Sequence, residues 1–443
     1  MTMKQNISAI ILAAGKGTRM KSSMPKIMHK IAGVPMISHV IQNCEDAHIN
    51  DIYCVINDTM DNINDVVSPH KTVIQKTQNG TADAVIAVKD HLKDHDGYIT
   101  ILCGDAPFIS SDTLKELSKV AEKSGMAIIG FHADNPTGYG RLIADDNHVR
   151  GIIEEKDCSD IQRQITLCNG GAYCVKASKL FQWLDKVSNL NAQGEYYLTD
   201  IVSIATDDGV DCGYYMATQD ELIGINSRVQ LAQAEKIMQD KLRDNAMNNG
   251  VTMIAPETVY LSMDTIFGRD IIIEPNVFIG AGVHIGDNTH IHANSHIAGA
   301  DIGKNAEIGP FARIRPKSKI GNNACVGNFI EVNRSEFKDG AKSKHVSYIG
   351  DAVIGEKTNI GAGTVFANYD GFNKHVSTTG KGSFIGSNST IISPITIGDG
   401  AFIAAGSTIA KNVNADALAV SRAKQLSRDG WTTQYRAKNK KDK

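Results

Sequence analysis

The 443-residue sequence contains no run approaching the roughly 20 apolar residues that a membrane span needs, and its first residues lead directly into a strand without an apolar signal core or cleavage site. Neither export nor membrane insertion is expected, and the protein reads as cytoplasmic. Cysteine is sparse and unordered. Eight thiols, at Cys44, Cys54, Cys103, Cys158, Cys168, Cys174, Cys212 and Cys325, include no CxxC pair, which argues against a disulfide scaffold and for reduced thiols. A large charge of one sign is lacking too. The formal net charge of -3 and pI near 6.5 argue against a nucleic-acid-binding protein. Lys438 to Lys443 form a small basic tail, expected to be solvated and frayed. What remains, 42% hydrophobic and 21% charged residues, suits a soluble chain of two or three domains.

Residues 7–12, Ile-Ser-Ala-Ile-Ile-Leu, form a short β-branched run followed by a glycine-rich loop and a helix pattern opening near Pro35. That pattern predicts a buried strand feeding a phosphate-sized turn. Further apolar runs at 52–56 and 99–103 alternate with helical patterns such as 112–123. This half therefore reads as an α/β, Rossmann-like fold with a largely parallel sheet and ligands at the carboxyl ends of its strands. In the loop, Gly15 and Gly17 let the backbone approach a phosphate while Lys16, Arg19 and Lys26 supply positive charge. An ordinary strand-to-helix turn would carry the same glycines, and the spacing matches neither GxxxxGK[ST] nor GxGxxG. At the next strand end, Cys103-Gly104-Asp105 sets a carboxylate where it either holds Mg²⁺ against a triphosphate or caps a solvated turn.

Strong helix formers after Ser227, with Ser227 as cap and Gly250 as stop, predict a helical linker at 227–250. Beyond it an apolar residue returns every six positions: Leu261, Phe267, Ile273, Ile279, Ile285, Ile291, Ile297; then Ile302, Ile308, Ile314, Ile320, Val326, Val332; then Ile385, Ile391, Ile397, Ile403, Ile409. No helix has that period. It predicts a parallel β-helix in which three hexapeptides make one triangular coil and each aliphatic residue stacks on its counterpart about eighteen residues later, roughly eight coils in all. His284, His290 and His296 also fall six apart, but six residues advance the chain by one face, so these side chains are expected to diverge rather than share a metal. The beat lapses at 333–348 and 367–384, and loops that interrupt a solenoid are where function is added. The first lapse contains His345, suited to act as a general base near neutral pH, with Glu331 placed to orient it. The second contains Asn368 and Tyr369.

The segments LAAGKGTRMKSSMPK (12–26), NGTADA (79–84), CGDAP (103–107), GYGR (138–141), IIEEKD (152–157), CNGG (168–171), GEYYLTD (194–200) and GINSR (224–228) resemble the sugar-1-phosphate nucleotidyltransferases. Within them, the likeness is to the bacterial bifunctional N-acetylglucosamine-1-phosphate uridyltransferase/glucosamine-1-phosphate N-acetyltransferases, whose acetyltransferase segment EVNRSEFKDGAKSKHVSY (331–348) and NYDGFNKH (368–375) resemble. The resemblance covers essentially the whole chain. It implies a uridyltransferase domain at 1–226, the linker at 227–250, and a left-handed β-helix acetyltransferase domain at 251–443, assembled as a homotrimer that feeds envelope polysaccharide synthesis.

By that resemblance Leu12, Ala13, Ala14 and Gly15 hold UTP, Gln75, Gly80 and Thr81 read uracil and ribose, and Cys103 and Gly104 adjoin the nucleotide. Lys26 contacts the phosphate being joined, Arg19 the departing pyrophosphate, and Gly140, Glu154 and Asn169 the N-acetylglucosamine-1-phosphate. Asp105 and Asn226 bind Mg²⁺. In the second domain His345 deprotonates the amine of glucosamine-1-phosphate, which attacks acetyl-CoA directly. Arg315, Glu331, Asn333, Tyr348 and Asn359 hold the sugar phosphate, and Ala362, Asn368, Tyr369, Ser387, Ala405 and Arg422 hold acetyl-CoA, Ser387 polarising the thioester carbonyl. Two positions depart from the family pattern: Cys103 stands where an aromatic residue is usual, and Asn333 where lysine is common, leaving neighbouring Arg334 to take the phosphate or the phosphate held more weakly. Two rival readings remain, a nucleotidyltransferase whose repeats only oligomerise or regulate it, and a scaffold that binds without turnover. His345 and Arg422 have no place in a scaffold.

Overall fold

Side-chain alternation and burial build the first unit around a nine-stranded sheet. The computed structural model describes residues 6–60, 63–145 and 148–440, so Lys441, Asp442 and Lys443 of the basic tail lie outside the described residues. The chain forms two compact units, Met1–Met238 and Gln239–Lys443, with the boundary inside the helix Arg228–Asn248. Ser227 caps that helix by accepting the Gln230 N–H at 3.2 Å.

In the first unit the strands run, across the sheet, Lys71–Ile74, Asp51–Ile56, Ile7–Leu12, Tyr98–Cys103, Leu167–Lys176, Met126–His132, Cys212–Met216, His148–Ile153 and Arg141–Asp145. The first four pair in parallel. Leu167–Lys176 then enters antiparallel to both neighbours, and the far edge is mixed. Apolar cores cover both faces. On one, Met36–Asp46 and Ser111–Ser124 bury Ile37, Val40, Leu114 and Leu117; on the other, Thr81–Ile86, Ala177–Leu184 and Ile201–Asp207 bury Val85, Leu180 and Ile201. With both faces covered, ligands are left the strand ends.

The second unit has three parallel sheets of ten, eight and eight strands, visited in turn by the chain. One inward column runs Ile273, Ile291, Ile308, Val326, Ser343, Ile360, Ile385 and Ile403. Another runs Phe267, Ile285, Ile302, Ile320, Phe337 and Ile354. Asparagines at corners, including Asn276, Asn294 and Asn323, take positive φ, which Asn accepts more readily than most residues.

One expectation is corrected here. Residues 333–348 are not a loop: Phe337 and Ser343, buried to 1% and 0% exposure, continue the core columns through strands Glu336–Phe337 and Lys342–Ser343. A five-residue step from Val332 to Phe337 and a serine at an inward position hid the repeat. The only excursion of the two lies between Ala367 and Ser377, where Tyr369 bridges Lys374 antiparallel. The start of the basic tail closes an exposed helix, Trp431–Asn439.

Candidate active sites

Parallel register sets Leu12 beside both Val55 and Cys103, so the loops leaving these strands begin at one edge. The Ala13 N–H donates to the Val55 carbonyl at 2.8 Å and the Gly104 N–H to that of Leu12 at 2.9 Å. A cleft of about 430 Å³ opens there, lined by Leu12, Ala13, Ala14, Gly15, Lys26, Gln75, Gly80, Thr81, Cys103 and Asp105. Lys16, expected in the loop as a source of positive charge, lines it too, as do Gln78 and Glu195, which the sequence did not assign to this site. Arg19 stands exposed on the short turn Thr18–Met20, outside that lining.

Gln75, 7% exposed, is fixed by donating to the Gly80 carbonyl at 3.1 Å and to Asp83 Oδ2 at 2.7 Å. Asp83 is thus a positioning residue missed from sequence, although it lies inside the NGTADA stretch. Gly80 has φ 125°, and a Cβ there would lie 2.4 Å from the Tyr196 carbonyl oxygen, so glycine is required. Thr81 Oγ1 accepts the Leu198 N–H at 2.9 Å. Burial pushes the Cys103 thiol up to about 12, which makes it neutral packing rather than a nucleophile.

Lys26 Nζ pairs with Asp105 and donates to Asn226 Oδ1 at 2.9 Å, so a carboxylate and an amide oxygen converge on one cation. That hard-oxygen pair fits a divalent ion shared with phosphate oxygens. Gly140, Glu154 and Asn169 also come together. The Asn169 N–H donates to the Gly140 carbonyl at 2.8 Å, and a Cβ at Gly140 would stand 3.5 Å from Glu154 Oε1. Burial raises the Glu154 carboxyl, which with Asp157 and Asp200 lines a second cleft of about 240 Å³.

In the second unit His345 lies exposed in the turn between Lys342–Ser343 and Ser347–Gly350. Backbone bonds climb this corner from coil to coil: Gly363 N–H to Val346 O at 2.7 Å, Asn388 N–H to Ala362 O at 2.7 Å, Gly406 N–H to Ser387 O at 2.8 Å. Arg422 Nη1 ends the line on the Ala405 carbonyl at 2.8 Å. His345, Ala362, Ser387, Ala405 and Arg422 therefore ascend one edge of the prism.

On an adjoining sheet Arg313, Glu331 and Tyr348 stand in register. Arg315 Nη1 donates to Glu331 Oε1 at 2.9 Å and Arg313 Nη1 lies 3.7 Å from Oε2. Glu331 is held by arginines and makes no hydrogen bond to His345, which corrects its expected orienting role. Asn359 sits in register with Lys342 on another sheet. Asn333, 4% exposed, accepts from Arg334 Nη1 at 3.2 Å, and Arg334 forms a two-point pair with Asp351 at 2.7 and 2.6 Å. Arg334 is thus committed to a carboxylate rather than free for phosphate. Asp351 also accepts from the buried Asn368 amide, while Tyr369, 59% exposed, opens the excursion.

A cleft at parallel strand ends with an ammonium between two oxygen donors, and a β-helix corner bearing a histidine, define a two-site transferase: a nucleotidyltransferase joined to a hexapeptide acyltransferase. Residues 9–166 match the model of the MobA-like NTP transferase domain. Residues 299–329 and 377–411 match the bacterial transferase hexapeptide, and 270–297 and 282–310 the hexapeptide repeat of succinyl-transferase. The chain is 50% identical over 440 residues to the bifunctional protein GlmU of Parvibaculum lavamentivorans, covering 98% of this chain and 97% of that one. The Rhodospirillum rubrum and Nitrobacter hamburgensis proteins of that name are 48% and 44% identical, with 97% and 96% of each chain covered. The chain belongs to the bifunctional GlmU family, and it is an enzyme, a uridyltransferase and an acetyltransferase in one polypeptide, its nucleotidyl transfer of a metal-dependent kind. Among the described residues no helix is long and apolar enough to cross a membrane.

Proposed function

We propose that the corner bearing His345 acetylates glucosamine-1-phosphate from acetyl-CoA, and that the cleft at Leu12–Gly15 then joins the product to UTP, releasing pyrophosphate and yielding UDP-N-acetylglucosamine. An ammonium is not a nucleophile, so His345 takes the proton that frees the amine. The amine nitrogen attacks the thioester carbon, Ser387 donating to the carbonyl oxygen, and the thiolate of CoA departs and is protonated. Arg315, Tyr348 and Asn359 hold the sugar phosphate, and Ala362, Asn368, Tyr369, Ala405 and Arg422 the CoA.

In the first domain, residues 1–226, the sugar phosphate oxygen attacks the α-phosphorus of UTP in line, a reaction governed by positioning and charge neutralisation. Leu12, Ala13, Ala14, Gly15, Gln75, Gly80 and Thr81 bind the nucleotide, Gly140, Glu154 and Asn169 the sugar, and Lys26 and Arg19 the phosphates. Asp105 and Asn226 would hold Mg²⁺, which when bound neutralises charge on the triphosphate. Linker 227–250 joins this domain to the acetyltransferase at 251–443, and the enzyme works as a cytoplasmic homotrimer; light scattering at micromolar concentration should give the mass of three chains, and a monomer would refute it.

The observation that carries the acetyl-transfer assignment is the single corner shared by His345, Ala362, Ser387 and Ala405. With acetyl-CoA and glucosamine-1-phosphate the protein should release free thiol. His345→Ala should lower that rate by at least ~100-fold, the scale of a general base, and leave pyrophosphate release from UTP unchanged. Equal loss of both activities would count against the assignment.

A further inference from the structure

Near the start of the β-helix an outward face carries a group that neither transfer reaction uses. Strand His290–Ile291 lies in parallel register on Ile271–Ile273, with His290 beside Ile272 and Ile291 beside Ile273. The next position in that register sets His292 beside Glu274. Alternation sends Ile291 into the core at 0% exposure and turns His290 and His292 outward together. Glu274 Oε1 lies 3.0 Å from both His290 Nε2 and His292 Nδ1, and the two rings are 4.0 Å apart. The three side chains are 26–33% exposed, and their ligand atoms all fall within 4.8 Å of one another.

Hydrogen bonding accounts for only part of this arrangement. His292 Nδ1 bonds Glu274 Oε1 at 3.0 Å, and the Ala293 N–H fixes Oε2 at 2.9 Å. His290 Nε2 is shielded from solvent and faces the same carboxylate oxygen, yet makes no hydrogen bond. Two imidazoles and a carboxylate are the donor set that borderline divalent ions favour. Donors 3.0 Å from a common oxygen subtend about 90° at an ion roughly 2.1 Å from each, a cis arrangement. The Ala293 amide supplies the outer-shell bond that such a carboxylate needs to keep its orientation.

We infer that Glu274, His290 and His292 form a site for a divalent transition-metal ion of the Zn²⁺ or Co²⁺ class. The ion staples one coil of the β-helix to the next from outside the core, Glu274 belonging to one coil and both histidines to its successor. Nitrogen donors separate this site from the all-oxygen pair Asp105 and Asn226, which suits Mg²⁺.

The test titrates Co²⁺ into the chelator-treated full-length protein with Mg²⁺ in large excess, reading visible d–d absorption and thermal melting. The wild type should show a saturable band at one equivalent per chain and a melting temperature raised by several degrees, since an ion that binds only the folded state stabilises it. Zn²⁺ should abolish the band by competition. Glu274→Gln and the pair His290→Gln, His292→Gln should lose the band and the shift, while Asp105→Asn keeps both. Thiol release and melting with chelator present should match the wild type in the histidine variant; if that variant misfolds, the isosteric Glu274→Gln decides. A band of equal stoichiometry in Glu274→Gln, or no band in the wild type at tenfold excess of Co²⁺, would overturn the inference.

Discussion

Arg334 shows how a neighbour's charge redirects a residue that sequence alone points at a ligand. Asn333 occupies a position where a cation is common in the family, which makes the adjacent arginine the obvious phosphate ligand. Instead its guanidinium is spent on Asp351, 8% exposed, whose carboxylate it holds below the usual range, and Asp351 in turn anchors the Asn368 amide. Arg334→Ala should therefore disturb the acetyl-CoA side. Losing one charge-assisted anchor is worth about 1.5 kcal/mol, or roughly tenfold, so KM for acetyl-CoA should rise about that much while KM for glucosamine-1-phosphate changes less. The reverse split would restore Arg334 to the phosphate. The depressed Asp351 carboxyl also fixes a sign: its contribution to stability is present above its unfolded pKa near 4 and lost as pH falls through its lower folded value, so acid melting of wild type and Arg334→Ala should converge at low pH.

At the scale of strands and turns, Gly350 and Gly80 should separate the two activities. A Cβ at Gly350 would lie 2.6 Å from the Tyr348 hydroxyl and 2.7 Å from Asn368 Nδ2, both ends of side chains that can be pushed aside. Gly350→Ala should then fold, lower acetyl transfer by ~10-fold or more through displaced positioning groups, and spare pyrophosphate release. At Gly80 the obstacle is backbone and φ is positive, so Gly80→Ala should show the opposite selectivity and a lower melting temperature. Thiol and pyrophosphate release measured on both variants would expose any failure of this pairing. The elements themselves were largely legible: apolar runs marked Ile7–Leu12 and Tyr98–Cys103, and the six-residue beat marked the three sheets. The beat hid the rest because it was followed as apolar residues six apart within each run. Phe337 after a five-residue step and the inward Ser343 broke that rule without breaking the coil, and Glu274 meets His292 eighteen residues on, a separation that only coil stacking reveals. Asp83 behind Gln75 was equally invisible, since a positioning residue has no pattern of its own.

At the scale of the molecule, thiols divide the two units. Seven of the eight cysteines fall in Met1–Met238, and burial pushes those of Cys44, Cys54 and Cys174, each 0% exposed, up to about 12 from an ordinary 9. A raised thiol keeps its proton in the folded state, so its stabilising effect is complete below pH 9 and is lost as pH climbs toward 12, where the unfolded chain has already released the proton. Three such groups remove about 4 kcal/mol per pH unit in that window, against a total domain stability of about 5–15 kcal/mol. The β-helix has only Cys325 and draws its stability from stacked isoleucines that do not titrate. Alkaline unfolding should therefore proceed in two stages, the uridyltransferase unit failing first, between pH 9 and 11. Trp183, buried at 0% in the first unit, reports that stage by fluorescence, while thiol release from acetyl-CoA, assayed after return to neutral pH, reports the second. Replacing Cys44, Cys54 and Cys174 by alanine or valine should shift the first stage to higher pH and leave the second in place. A single transition at one pH in both proteins would mean that charges other than these thiols govern the alkaline limit.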